Sequence, residues 1–317
     1  MDCDRRVFLK TTLAASAVAA RSATLQAQPP RLFPGFTAQH ITTSGATIHT
    51  LRGGSGPPLL LIHGYPQTHV EWHKIAGRLA QKFTVVMTDL RGYGDSSKPA
   101  DGENHANYSK RAMALDQVEV MRALGFDRFA VVGHDRGARV TWRMCVEHPG
   151  AVSKAVVIDI VPEPYSRVTR QFATEYFHWF FLIQAAPFPE TLIGNSAEFY
   201  LRSRFLRQNA ASGVFTDAAI AEYLRCFKDP AAIHATCEDY RAGATIDLEH
   251  NAQDGDRKVT CPLLVLWGER GTVGRLEPVM EIWRQKATNV TGKALPGGHF
   301  LPEELPEETL AALLGFL

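Results

Sequence analysis

Apolar residues along this chain gather in short continuous runs separated by longer stretches of helical spacing. The clearest runs are Pro58–His63, Phe83–Leu90, Arg128–Gly133, Lys154–Ile160 and Cys261–Gly268. A run such as Leu59-Leu60-Leu61-Ile62 has no polar alternation, which predicts a strand buried on both faces, as in a parallel sheet. Between these runs, Lys110–Leu124 and Gly137–Glu147 repeat apolar side chains at helical spacing. Strands alternating with helices predict an α/β domain, a mostly parallel central sheet with helices on both faces.

The alternation breaks from about Pro164 to Asp256. That stretch is rich in aromatics and helix formers, including Tyr176-Phe177-His178-Trp179-Phe180-Phe181 and Ile220-Ala221-Glu222-Tyr223, and shows no strand pattern. The earlier rhythm resumes at Val259 and ends in a strand over Asn289–Leu295. The expected organisation is a core of residues 30–163 and 257–317 with an inserted helical cap of residues 164–256. A cap over a sheet encloses a pocket. Neither an internal repeat nor a low-complexity tract interrupts this plan.

The chain has 317 residues, enough for one such domain with its insertion. Its 45% hydrophobic and 21% charged residues are ordinary for a soluble globular protein. A net charge of +1 gives no reason to expect nucleic acid or an anionic membrane as partner. No apolar run reaches the roughly 18 residues of a membrane span.

Ahead of the domain, Asp4-Arg5-Arg6-Val7-Phe8-Leu9-Lys10 leads into an Ala-rich run, Thr11–Ala20, and then Gln28-Pro29-Pro30. Two arginines before a short apolar run read as a twin-arginine export signal over residues 1–28. The mature protein is then expected in the periplasm or outside the cell, with the export machinery as its partner on the way. Cleavage fits both Ala17-Val18-Ala19 and the Leu25-Gln26-Ala27 region, and removal of the signal leaves a near-neutral chain. Cys3 would leave with it. Cys145, Cys226, Cys237 and Cys261 lie in apolar segments without metal-ligand spacing and read as buried thiols. A Cys226–Cys237 bridge in an oxidising compartment is left open.

The chemistry is concentrated in Phe129-Ala130-Val131-Val132-Gly133-His134-Asp135-Arg136-Gly137. A strand runs into Gly-x-Asp-x-Gly and then into a helix, the pattern of a nucleophile elbow with Asp in place of Ser. The glycines suit a tight turn, and the helix N-terminus favours an anion. A carboxylate is ionised at neutral pH and attacks without a base. It suits displacement at saturated carbon, giving an ester that water then hydrolyses.

That second step needs a base. His299, in Leu295-Pro296-Gly297-Gly298-His299-Phe300, follows the last expected strand and holds the late position of the histidine in this chain order. The orienting acid is less plain. The place for it after the strand Leu263–Gly268 is occupied by Gly271; Asp159, at the end of an adjacent strand, is the better candidate and Glu269 the fallback. His63-Gly64-Tyr65-Pro66 stands where a second oxyanion donor belongs, so the backbone N–H groups of Tyr65 and Arg136 are the expected pair. His69-Val70-Glu71-Trp72-His73 departs from the zinc pattern His-Glu-x-x-His, and no metal or cofactor is expected.

From about Phe33 onward the sequence resembles the fluoroacetate (haloacetate) dehalogenases of the α/β-hydrolase fold. The likeness is carried by His63-Gly64-Tyr65-Pro66-Gln67-Thr68-His69-Val70, Gly133-His134-Asp135-Arg136-Gly137-Ala138-Arg139-Val140, His178-Trp179, Cys237-Glu238-Asp239-Tyr240-Arg241-Ala242-Gly243-Ala244, and Gly298-His299-Phe300-Leu301-Pro302-Glu303-Glu304. The resemblance implies a halogenated carboxylate as substrate, Asp135 as nucleophile, His299 as base and Asp159 as acid. It implies that Arg136 and Arg139 hold the substrate carboxylate and that His178, Trp179 and Tyr223 form the halide pocket. It also implies a homodimer. These residue types suit the work: guanidiniums grip a carboxylate in fork geometry, and indole, phenol and imidazole donors stabilise a departing halide. Arg204–Gln208 is expected to set pocket width. Epoxide hydrolases share the Asp/His machinery and use two cap tyrosines, here Tyr223 with Tyr176 or Tyr240; the arginine pair beside Asp135 favours an acidic substrate.

Overall fold

The computed structural model describes residues 32–162, 168–207 and 213–317. The segment read as an export signal, residues 1–28, and Gln208 lie outside them. An eight-stranded sheet forms the centre, built from β1 (Thr37–Thr42), β2 (Thr47–Gly53), β3 (Pro58–Ile62), β4 (Thr84–Thr88), β5 (Phe129–His134), β6 (Val152–Ile158), β7 (Leu263–Gly268) and β8 (Val290–Leu295). Their order is β1-β2-β4-β3-β5-β6-β7-β8. Strands β3 to β8 are parallel, while β1 and β2 run antiparallel at one edge.

The apolar runs became the inner strands because both of their faces are covered. Leu59 to Ile62, Val131, Val132 and Ala155 to Ile158 are fully buried, packed under helices such as Lys110–Ala123 and Arg136–Glu147. The hydrophobic pattern did not reveal β1 or β2. Thr-Ala-Gln-His-Ile-Thr of β1 sits at the rim, half exposed, so no continuous apolar run was required of it. A turn signal was present, since Thr43-Ser44-Gly45-Ala46 closes the hairpin with Thr43 N–H bonded to the Ala46 carbonyl at 2.8 Å.

Between β6 and β7 the described residues are helical: Arg170–Glu175, Phe177–Leu182, Phe188–Gly194, Ala197–Arg207, Asp217–Phe227, Pro230–Ala244 and Ile246–Asp254. Polar side chains start several of these. Thr216 caps Asp217–Phe227, and Asp229 caps Pro230–Ala244 with proline in the first turn. Cys145, Cys226, Cys237 and Cys261 carry free thiols, so no bridge joins Cys226 to Cys237. No helix among the described residues is long and apolar enough to cross a membrane.

Parallel register brings the C-terminal strand ends level: Ile62 lies beside Gly133, His134 beside Ile158, Ile158 beside Leu266, and Gly268 beside Leu295. The residues that follow those strands therefore emerge at one edge of the sheet, where ligands bind in open α/β folds.

Candidate active site

Asp135 follows β5 directly and opens the helix Arg136–Glu147, with φ 47° and ψ −114°. The turn is so tight that a side chain at Gly133 would meet the Gly137 carbonyl oxygen at 2.4 Å, and one at Gly137 would meet the Ile62 carbonyl oxygen at 2.3 Å. Glycine is required at both positions by that close approach. The Tyr65 N–H donates to Asp135 Oδ1 at 3.0 Å, so the loop after β3 supplies one expected donor. Burial alone would raise the Asp135 pKa; His299, His134, Arg136 and the Tyr65 N–H together bring it below the ordinary carboxylate value. The nucleophile candidate is thus held ionised.

His299 and Asp159 join it. His299 Nδ1 lies 2.6 Å from Asp159 Oδ2, while His299 Nε2 is 3.8 Å from Asp135 Oδ2. The first distance is a short hydrogen bond; the second is too long for one. The imidazole is therefore oriented by Asp159 and stands off the nucleophile, as a base acting on a water between them would. Asp159 itself is left-handed at φ 54° and accepts the Gly268 N–H at 3.0 Å. A Cβ at Gly271 would lie 3.3 Å from Asp159 Oδ1, so the carboxylate after β6 reaches the same spot from the neighbouring strand. Glu269 is exposed.

The two arginines differ. Arg136 is buried and turned onto Asp239 of the helix Pro230–Ala244, with Nε to Oδ2 at 2.9 Å, Nη2 to Oδ1 at 2.6 Å and Nη2 to the Asp239 carbonyl at 2.6 Å. Asp239 also takes Lys110 Nζ and, at 2.6 Å, the Tyr93 hydroxyl. These cations hold its carboxyl well below the usual range despite burial. Arg139 bonds the carbonyls of Val161 and Pro162, both at 3.3 Å, and lies 4.9 Å from the Trp179 ring. Arg136 and Arg139 both line a cavity of about 270 Å³ with Trp179, Tyr240, Phe172 and Leu248.

His178 and Trp179 come together as expected, but Tyr223 does not join them. Its hydroxyl donates to Glu303 and accepts Gln67 Nε2 at 3.4 Å, and its ring packs on Phe205. The tyrosine in the cluster is Tyr240, edge-on to His178 at 5.7 Å and to Trp179 at 5.8 Å, with the Arg136 guanidinium 4.2 Å from its ring centre. The Tyr240 hydroxyl is buried with no hydrogen-bond partner, and burial first and then the Asp135 charge push its pKa up. The misplacement has a physical reason: both tyrosines are fully buried on cap helices, and only the distant Glu303 distinguishes them. The signal that was available is Tyr240's place in Glu238-Asp239-Tyr240-Arg241, beside the partner of Arg136. Arg204, also buried, lies 3.2 Å from His178 Nε2. Arginine can only donate, so that nitrogen accepts and the proton of a neutral His178 sits on Nδ1.

A model of the alpha/beta hydrolase fold family matches residues 57–306. Among curated proteins, the fluoroacetate dehalogenase of a Burkholderia species is 45% identical, over 90% of this chain and 95% of its own. The soluble epoxide hydrolase of a Corynebacterium species (strain C12) is 35% identical, over 89% and 97%. Among solved structures, a proposed alpha/beta hydrolase from Nostoc sp PCC 7120 superposes with a TM-score of 0.87 at 56% identity, covering 89% of this chain and 97% of that one. Epoxide hydrolase CorEH superposes at 0.81 with 32% identity, over 89% and 98%.

Proposed function

This chain belongs to the α/β-hydrolase family and, within it, to the fluoroacetate dehalogenases, and we propose that it hydrolyses haloacetates to glycolate and halide through an ester on Asp135. It is a hydrolase acting on carbon–halide bonds. The observation that carries the fuller reading is one arrangement: an ionised Asp135 next to Arg136, which lines one cavity with Arg139, Trp179 and Tyr240, the Tyr240 hydroxyl being an unspent donor.

The carboxylate of fluoroacetate or chloroacetate binds against Arg136 and Arg139, which offset its repulsion by Asp135. Asp135 attacks the α-carbon, and the halide leaves with the bonding pair toward the donors of His178, Trp179 and Tyr240. Water, deprotonated by the His299–Asp159 pair, then attacks the ester carbonyl, with the Tyr65 and Arg136 N–H groups facing the oxyanion. Arg136 is preorganised by Asp239, which costs it less ordering when substrate arrives.

Epoxide hydrolysis is the second reading. The buried Tyr240 hydroxyl near Asp135 would equally protonate an epoxide oxygen, and the arginines weigh against it. The deciding experiment is halide release from fluoroacetate and chloroacetate by purified protein, with Asp135→Asn as control. Release abolished by the substitution is the expected result; no halide, with diol formed from a small epoxide, would reverse the choice. We also propose that residues 1–28 direct twin-arginine export. Recovery of the mature protein only from cytosol after fractionation would defeat that proposal.

A further inference from the structure

Two fully buried ionisable side chains, Glu71 and His134, take no bond-making part in the reaction above, yet they touch the loops that carry the oxyanion donor, the nucleophile and the base. One Glu71 carboxylate oxygen accepts the Gly64 N–H at 3.0 Å, and the other lies 2.9 Å from His134 Nδ1. The second ring nitrogen, His134 Nε2, is 2.9 Å from the His299 carbonyl oxygen. Both ring nitrogens face acceptors, Nε2 in a hydrogen bond and Nδ1 at ion-pair distance without hydrogen-bond alignment, and two acceptors favour a ring that carries both protons. The groups around it are Glu71, Asp135 beside it in sequence, Asp159 after β6, and the His299 ring at 4.6 Å. Burial works against the charge, and the surrounding carboxylates outweigh it, moving His134 up to about 9.

Burying an ion pair is costly, and a well-packed apolar pair is often at least as stable. What an apolar pair lacks is direction. Gly64 precedes Tyr65, whose N–H meets Asp135; His134 precedes Asp135; and the His299 carbonyl belongs to the base. We propose that the Glu71–His134 ion pair is the positioning device of this site, fixing the oxyanion loop, the nucleophile and the base in one register for hydrolysis of the Asp135 ester. The proposal rests on the ester reading.

Its weight falls on the second step. Displacement of halide draws on Asp135, the arginines and the cap donors, and uses neither His299 nor the oxyanion donors. In hydrolysis the water oxygen bonds to the Asp135 carbonyl carbon while His299 Nε2 takes its proton. The ester C–O bond then breaks, glycolate receives that proton, and the regenerated carboxyl of Asp135 releases its own to solvent. The Tyr65 N–H and His299 must both be in place at that moment. A displacement of about 1 Å in such a group can cost about 100-fold.

The test compares halide burst with steady turnover in wild type, Glu71→Gln and the charge-retaining Glu71→Asp, on whichever of fluoroacetate, chloroacetate or a small epoxide the wild type consumes. For an epoxide, the readout is trapped ester. Glu71→Gln should keep the first step while turnover falls about 100-fold, with the ester accumulating as a covalent adduct in intact-mass spectra, and Glu71→Asp should recover part of the loss. A folded Glu71→Gln with unchanged turnover, or one losing both steps equally, overturns the proposal. Nitrogen NMR of wild-type His134 reads the pair without any substrate or variant. A doubly protonated ring at neutral pH that titrates near 9 is expected, and a neutral ring at neutral pH overturns it. Wild type inert to all three substrates would instead count against the proposed function, and the NMR result would still decide the ion pair.

Discussion

The sheet edge and the cap contribute to one site but hold their side chains by different means. At the sheet edge the backbone does most of the fixing. Asp135 and Asp159 stand at strand ends with φ of 47° and 54°, each with a carboxylate oxygen accepting a backbone N–H, from Tyr65 and Gly268. In the cap, side chain meets side chain. Tyr240 is placed by the rings of His178, Trp179 and Tyr65, and Asp239 by Arg136, Lys110 and Tyr93. The first kind of placement follows from strand register and turn geometry and survives most substitutions nearby, the proposed Glu71–His134 pair beneath it being the exception. The second depends on each neighbour being present.

The largest test of this contrast is at the nucleophile. Asp135→Asn should leave the fold intact and reduce halide release by about 10⁴-fold or more, since no other carboxylate stands in its place. Next come the base and its partner. His299→Gln should permit one halide per site and then stop, leaving the ester on Asp135 visible in an intact-mass spectrum. Asp159→Asn should lower turnover by about 10⁴-fold without trapping a different species, because the imidazole loses its orienting acceptor. Sustained halide turnover near the wild-type rate in the His299 variant would separate His299 from the chemistry, and in the Asp159 variant it would do the same for Asp159.

The cap gives a sharper, smaller comparison. Tyr240→Phe should slow fluoride release by about 100-fold, the cost of one lost donor in such a site, and chloride release less, because chloride needs less hydrogen-bond help to leave. Tyr223→Phe should leave turnover near wild type and cost about 1–3 kcal/mol of stability, since the buried Glu303 loses a donor. The reverse ranking, with Tyr223→Phe the slower enzyme, would return Tyr223 to the halide pocket.

What the sequence made legible follows the same division. Buried parallel strands need continuous apolar runs, and the elbow needs its two glycines, so the central strands, Asp135 and the His299 loop could be read directly. Asp159 was readable because it ends a strand in the right order. Strands β1 and β2 were not, because an edge hairpin has one wet face and little pattern. Choosing between Tyr223 and Tyr240 required knowing that Glu303, from the far end of the chain, claims the first. Glu71 and His134 were hidden for a similar reason: a lone Glu and a lone His announce nothing until the fold brings them 2.9 Å apart.

The smallest expected effect concerns Glu303, the residue that draws Tyr223 out of the cluster. Burial pushes its carboxyl up to about 8 from an ordinary 4.5, against the hydrogen bonds of Tyr223 and Gln67. The folded protein then keeps a proton that the unfolded chain releases as pH rises from about 4.5 to about 8. More protons are bound in the native state across that window, so this group's contribution to stability falls with rising pH and is lost once both states are ionised above about 8. His134 changes stability in the same direction, but over a higher window that ends near 9. Melting temperatures of wild type and Glu303→Gln, taken across the range, separate the two. The difference between the proteins should shrink in wild type's disfavour up to about pH 8 and stay constant beyond it. A difference that does not vary with pH would mean Glu303 is ionised throughout, and that Tyr223 is held by a carboxylate instead of a carboxylic acid.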